Sequence, residues 1–254
     1  MQADRTEECD MGAGTVLPIL SLVLLGLPAS AARGLDMDVI GTSGGDLHVS
    51  FIGHGSLMFT FGEKVVHADP WSKLADYSKM PKADLILITH EHRDHLDVET
   101  IRTLRKETTA VVVNRTSGDL VPGSLVMRNG KTKTIQGVGI EAVPAYNILH
   151  RRSNGQPFHP KGDGNGYVLT FADKRVYVAG DTENIPEMKR LKDIHWAFLP
   201  MNLPYTMTPE MVADAAVAMK PRILYPYHFG ETDVSVLAEL LKGTEVEVRL
   251  REMR

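Results

Sequence analysis

The residues able to do chemistry concentrate in Thr89-His90-Glu91-His92-Arg93-Asp94-His95-Leu96-Asp97. Four ligand-type side chains, His90, His92, Asp94 and His95, fall within six residues. Alternate residues of an extended turn point the same way, so His90 and His92 can share one cation. Asp94 and His95 stand where the chain turns into a helix and can face a second cation. Imidazole with carboxylate suits zinc best among divalent ions, with manganese or iron also able to bind. A polar surface loop is the alternative reading, and four donors at this spacing argue against it. The chain has one cysteine, Cys9, and ten histidines, so neither an intrachain disulfide nor a cysteine-rich zinc finger is possible.

A strand must deliver this segment and a helix must receive it. Residues 84–89 form a near-continuous apolar run, the pattern of a strand buried on both faces. Residues 97–107 read as a helix with Asp97 as N-cap. Upstream, residues 47–52, 56–61 and 64–67 read as successive strands, with Gly53, Gly55 and Gly62 at the turns. Residues 110–113 form another buried strand. From 132 to 171 the pattern is β, interrupted by a polar, Gly-rich stretch at 151–165. Further strands are expected at 175–179, 196–199, 223–227 and 246–250. Helices are expected at 186–192, 208–219 and 234–241. In the second of these Thr208 caps, Pro209 takes the first position, and Met211, Ala215, Val217 and Ala218 supply apolar groups. No linker divides this region. It reads as one α/β domain of two similar halves, two mixed sheets packed face to face with helices outside.

The chain has 254 residues, net charge -4, 43% hydrophobic and 24% charged residues. This excludes collagen-like and wholly disordered chains and fits a soluble globular protein. The balanced charge argues against a dedicated nucleic-acid binder. Residues 12–32 carry no charge and end in small residues, with Ala29-Ser30-Ala31 at signal-peptidase spacing. The expectation is a signal peptide at 1–32 and a working domain at 33–254. Asp4, Glu7, Glu8 and Asp10 against Arg5 alone are unlike a positive leader, so an uncleaved membrane anchor and a buried helix stay open. Export implies a periplasmic or extracellular protein; a cytoplasmic one follows if the segment is no signal. Removing residues 1–31 leaves 28 acids, 27 bases and no cysteine.

The complete H-x-H-x-D-H pattern at 90–95 resembles the signature of the metallo-β-lactamase fold superfamily, and the resemblance extends over about residues 46–250. It implies a four-layer αββα sandwich with a binuclear metal site at one sheet edge. Tyr177-Val178-Ala179-Gly180-Asp181-Thr182 resembles the family's G-D element, which makes Asp181 the metal-bridging carboxylate. Pro226-Tyr227-His228-Phe229-Gly230 resembles the final histidine element, which makes His228 a ligand of the second metal. Gly53-His54-Gly55-Ser56, His67-Ala68-Asp69-Pro70-Trp71 and Pro204-Tyr205-Thr206-Met207-Thr208 look most like the branch containing ascorbate-6-phosphate lactonase. Asp69 then resembles a buried aspartate that hydrogen-bonds the ligand loop; a turn aspartate before proline is the alternative. His54 is either a pocket residue in contact with substrate or a structural histidine. The chain departs from the family at the third ligand of the first metal. Val143-Pro144-Ala145-Tyr146-Asn147 holds no histidine there, and His159 is favoured over His150 and Asn147. His48 and His195 lack a ligand context.

The resemblance implies a hydrolase with two divalent cations, zinc first and manganese or iron as alternatives. A metal-bridging hydroxide would attack a small ester, lactone or phosphoester. Asp94 would be catalytic, accepting the hydroxide proton and passing it to the leaving group. By its residues the 151–165 loop, with Arg151, Arg152 and Lys161, either covers the site and holds an anionic group or is a solvated surface loop. A phosphodiesterase or nuclease of the same fold, an iron oxygen reductase and a non-catalytic exported metal-binding protein remain alternatives. His92 stands where the oxygen-reductase branch has an acid, which favours zinc. A β-lactam substrate is not implied, because the fold hosts many chemistries. The expected partner is a small-molecule substrate, with no nucleic acid, and a membrane only if the N-terminal segment stays uncleaved. Oligomeric state leaves no mark in the sequence.

Overall fold

Strand pairing repeats the same sequence of directions in each half of the chain. The computed structural model describes residues 35–254 and Met1; the expected signal segment at 1–32, apart from Met1, and Cys9 lie outside the described residues. The first sheet runs in chain order through β1 (Asp36–Thr42), β2 (Gly45–Gly53), β3 (Ser56–Phe61), β4 (Lys64–Ala68), β5 (Leu85–Leu87), β6 (Ala110–Val113) and β7 (Leu125–Val126). Its first three pairings are antiparallel and its last three parallel. The second sheet comprises β8 (Thr132–Ile135), β9 (Val138–Ala145), β10 (Gly164–Phe171), β11 (Lys174–Val178), β12 (Trp196–Pro200), β13 (Ile223–Tyr227) and β14 (Glu247–Val248), again three antiparallel pairings followed by three parallel ones. Antiparallel neighbours need only tight turns, whereas each parallel step needs a crossover. The crossovers carry most of the site, and the antiparallel connections β2–β3 and β9–β10 carry the rest.

Apolar side chains from both sheets meet in one core. Leu47, Val49, Phe59, Leu85 and Leu87 from the first sheet share it with Tyr167, Leu169, Val176 and Phe198 from the second. Phe59 packs on Phe171 and Phe198 at ring separations of 5.9 and 6.1 Å. Alternation splits the apolar run of β5: Leu85 and Leu87 face the shared core. Ile86 and Ile88 face a second cluster with Ile101 and Leu104 of α1 (Val98–Leu104). The run is continuous because both faces are covered.

Asp97 caps α1, its side chain accepting from Thr100 N. Thr208 caps α2 (Pro209–Met219) by accepting from Met211 N, with Pro209 at its start. The buried face of α2 is Val212, Ala213, Ala215, Ala216 and Met219. Val217, expected among its apolar contacts, is exposed, because it lies off the stripe set by Val212, Ala216 and Met219. The helix expected at 234–241 is shorter, α3 (Val236–Leu240), and 186–192 keeps only a 3-10 turn at Met188–Arg190. Strands β1 and β7 were not legible. In β1 the alternating Met37 and Val39 are exposed while Asp38 turns inward and takes Arg251 as partner, 2.5 Å away.

Candidate metal centre

The ligand-type side chains converge from turns that leave strands of both sheets. His90 and His92 follow β5, and Asp94 and His95 lie on the same turn before α1. Asp181 follows β11 and His228 follows β13; His54 sits on the turn after β2, and His159 on the long loop between β9 and β10. They form two donor sets, His90, His92, His159 and Asp181 in the first, and His54, Asp94, His95 and His228 in the second. Within each set the donor atoms all lie within 4.8 Å of one another. Every one of these positions was named from sequence, but His54 was not expected beside the donors themselves. His150 lies outside both sets, and so do His48 and His195.

The first set is three nitrogens and an oxygen around one point. His90 Nε2 lies 3.0 Å from His92 Nδ1, which lies 3.3 Å from His159 Nε2. Asp181 Oδ2 is 3.3 Å from His159 Nε2 and 3.9 Å from His90 Nε2. Tetrahedral zinc with bonds of about 2.0 Å spaces its ligands about 3.3 Å apart, so the set has the size of one such ion. In the second set His54 Nε2 is 3.0 Å from Asp94 Oδ2, and His95 Nε2 is 3.1 Å from His228 Nε2. Asp181 also faces this set: its Oδ1 lies 3.5 Å from His95 Nε2 and 3.6 Å from His228 Nε2. That Oδ1 is buried and accepts no hydrogen bond. A buried carboxylate oxygen without a donor is costly, and a cation between Asp181, His95 and His228 removes the cost.

The outward ring nitrogens of His54, His90, His95, His159 and His228 have partners, which turns the inward ones toward the sets. Asp69 accepts from Thr89 N at 2.8 Å, Thr89 Oγ1 at 2.6 Å and His95 Nδ1 at 2.7 Å. His90 Nδ1 lies 3.0 Å from Thr89 Oγ1. His159 Nδ1 lies 2.7 Å from Asn147 Oδ1, so Asn147, at the place where the family carries a histidine, supports His159 from behind. His54 Nδ1 meets the carbonyl of Arg254 at 3.2 Å, and the Asn202 amide lies 3.3 Å from His228 Nδ1. His54, Asp69 and His228 all adopt left-handed backbone, with φ of 49°, 44° and 46°. Such conformations cost on the order of 1 kcal/mol each and persist where the surroundings over-determine them. Gly55 allows His95 to approach; a Cβ there would meet His95 Cε1 at 2.9 Å.

Charge in the cluster is divided. Burial, with His95 nearby, holds His90 well below the ordinary histidine pKa, and burial with His159 nearby lowers His92. Burial also opposes charge on His95, but the carboxylates of Asp181, Asp69 and Asp94 together pull its pKa up to about 9. Burial opposes ionisation of Asp181 and Asp94 too. The facing histidines overcome it and keep both carboxylates ionised. Unprotonated imidazoles with ionised carboxylates are the forms that bind a cation.

A cleft of ≈ 540 Å³ opens over the centre, floored by His92, Asp94, His159, Asp181 and His228 and walled by Arg93, Arg152, Phe158, Asn202 and Tyr205. Of the three cationic residues expected over the site, only Arg152 lines this cleft. Arg151 bonds the carbonyls of Ile148 and Gly155, and Lys161 bonds Tyr146 and Glu187. Arg93, inside the ligand motif, also lines the cleft.

Residues 48–228 match the Beta-lactamase superfamily domain. A curated UPF0173 metal-dependent hydrolase of Thermococcus kodakarensis is 31% identical over 197 residues, covering 71% of this chain and 84% of its own length. A relative of the same description from Thermococcus onnurineus is 32% identical over 194 residues, with the same coverage of 71% and 84%. A crystal structure from Parabacteroides distasonis, designated a metal-dependent hydrolase, shares 48% identity at a TM-score of 0.83, over 87% of this chain and 100% of that one. A metallo hydrolase from Ignicoccus hospitalis is 24% identical with a TM-score of 0.67, over 81% of this chain and 95% of that one, a likeness of fold alone.

Proposed function

The chain belongs to the metallo-β-lactamase superfamily and is a metal-dependent hydrolase, and on that premise we propose that it holds two divalent cations, zinc before manganese or iron, to hydrolyse a small ester, lactone or phosphoester bearing an anionic group. The observation that carries this reading is Asp181, whose two oxygens face different donor sets and one of which has no hydrogen-bond donor. Histidine-rich donor sets without a thiolate favour zinc among the candidates. When bound, such cations supply an acidified water as nucleophile and a Lewis acid for the oxygen on which charge develops.

The chain's own residues do the rest. Asp94 is the more open of the two carboxylates, with its side chain 34% exposed against 5% for Asp181. It borders the cleft and holds the proton of the attacking water, then passes it to the leaving group. His54 Nε2, 3.0 Å from Asp94 Oδ2, would hold the same cation beside that carboxylate. Arg93 and Arg152 on the cleft wall hold the anionic group of the substrate. Arg152 is steadied by its hydrogen bond to the Phe158 carbonyl and by the Phe158 ring, 5.2 Å away.

Screening the zinc-, manganese- and iron-loaded protein against lactones, phosphodiesters and acyl amides tests the reading. Turnover of one class that disappears in Asp94→Ala and weakens in KM in Arg152→Ala is expected. A doubly loaded protein inert toward every class overturns it.

A further inference from the structure

Glu183 belongs to neither donor set, is fully buried and stands in no recognised motif, yet its carboxylate is saturated with donors. Oε2 accepts from Ile148 N and Leu149 N, both at 2.7 Å. Oε1 accepts from His150 N at 2.6 Å and from Asn147 Nδ2 at 3.1 Å. Three consecutive backbone N–H groups turned on one anion form the concavity that usually binds a phosphate; here the chain supplies the anion itself. Burial resists the charge, and these donors still hold the Glu183 pKa below the ordinary glutamate value. His150 Nδ1 lies 2.8 Å from Oε1, and no lysine or arginine pairs with the carboxylate among the described residues.

The amide of Asn147 transmits this arrangement to the metal centre. Its Nδ2 donates to Glu183 and also to the Tyr205 carbonyl at 2.9 Å. Both acceptors lie on one side, so Oδ1 faces the other way, where it accepts from His159 N at 2.9 Å and His159 Nδ1 at 2.7 Å. His159 therefore carries its proton on Nδ1, and the lone pair of Nε2 points at Asp181 and His92. We propose that Glu183 is a positioning residue for the first cation: it fixes the direction of the Asn147 amide, which fixes the tautomer and aim of His159. This rests on a cation in the first set. It assigns a role to a side chain 36 residues of sequence away from Asn147 in a chain where the usual third histidine is missing, and it explains how a loop histidine serves instead.

The nearly isosteric Glu183→Gln tests it. Gln puts an NH2 where an acceptor stood; an Asn147 amide that reverses to meet it gives up the Tyr205 carbonyl and His159 N and turns a donor toward His159 Nδ1. His159 then shifts its proton to Nε2 and loses its donor lone pair. Cobalt(II) and zinc titrations of the full chain, followed by absorption and competed with a chelator, resolve the two sets. Glu183→Gln is expected to weaken the first set by about 10- to 100-fold and leave the second unchanged. Adding Asn147→Asp restores an acceptor for both His159 Nδ1 and the new amide, and is expected to recover first-set affinity. Asn147→Ala leaves Glu183 and its three backbone donors in place and must also weaken the first set alone. Wild-type first-set affinity in folded Glu183→Gln or in Asn147→Ala overturns the proposal. So does an equal loss from both sets without rescue by Asn147→Asp, which marks Glu183 as a purely structural support.

Discussion

The two donor sets face each other across one carboxylate but are held in different ways. The second set is gripped by short turns at strand ends. His54 and His228 sit in left-handed backbone, His228 N donates to the His54 carbonyl at 3.0 Å, and their rings lie 3.7 Å apart. Asp69, also left-handed, anchors His95 directly. In the first set His90 and His92 leave β5 on similar terms, but the third histidine comes from the long loop between β9 and β10. Its position depends on Asn147, two residues past the end of β9, whose backbone N bonds the His159 carbonyl at 2.9 Å and whose side chain accepts from His159 N and Nδ1. Strand ends give precision through the sheet itself; a loop ligand needs its own scaffold. The second set is therefore expected to tolerate loop changes that empty the first.

Asp181→Ala should produce the largest effect, because it removes the one group common to both sets. Loss of both tightly held cations and a drop in turnover of more than about a hundredfold are expected; the thermal midpoint of the metal-free protein should change little. Retained binuclear binding would break the comparison at its centre. His159→Ala comes next and should empty the first set while the second keeps its cation. His150→Ala should release neither, since His150 lies outside both sets, and metal analysis of the two variants separates them. Asp69→Ala is the mirror image. It should weaken the second set about 10- to 100-fold, with a smaller effect on the first through Thr89 and His90.

The smallest effect on either set should come from His67, which is buried in β4 with Nε2 on the Pro81 carbonyl. Burial lowers its pKa to about 4. The unfolded chain takes up the proton at about pH 6.5 and the folded chain does not, so stability is complete above pH 6.5 and falls as pH drops toward 4. The full loss is about 3 kcal/mol. Urea unfolding of metal-free protein across this window should be steeper in wild type than in His67→Gln, with cation uptake at pH 7.5 the same in both. An identical slope in the two proteins would remove His67 from the account.

Much of the fold was legible because apolar period and turn glycines agree with it. The run at 84–89, the Asp97 and Thr208 caps, and the repeated order of strands and helices all place elements that the structure contains. Edge strands were not legible. The partners that order Asp38 in β1, Tyr225, Arg249 and Arg251, come from the far end of the chain. The donors in the 90–95 segment announce themselves by spacing, whereas Asp181, His228 and Asp69 needed a family pattern. Glu183 had neither, and the family pattern offered Asn147 only as an alternative ligand, not as the support of His159. Their bonds join 147–150 to 183 across a strand hairpin, and no local period records such a pairing. His54 was ambiguous for a related reason: a single histidine in a glycine turn says nothing of the Asp94 carboxylate 40 positions on, which the fold sets beside it.

The most direct test of the central claim is the metal content of the wild-type chain, purified without chelator and dialysed against metal-free buffer. Two equivalents of zinc or another transition metal per chain are predicted, one for each donor set. Less than one equivalent of tightly held metal per chain would contradict a two-cation centre bridged by Asp181.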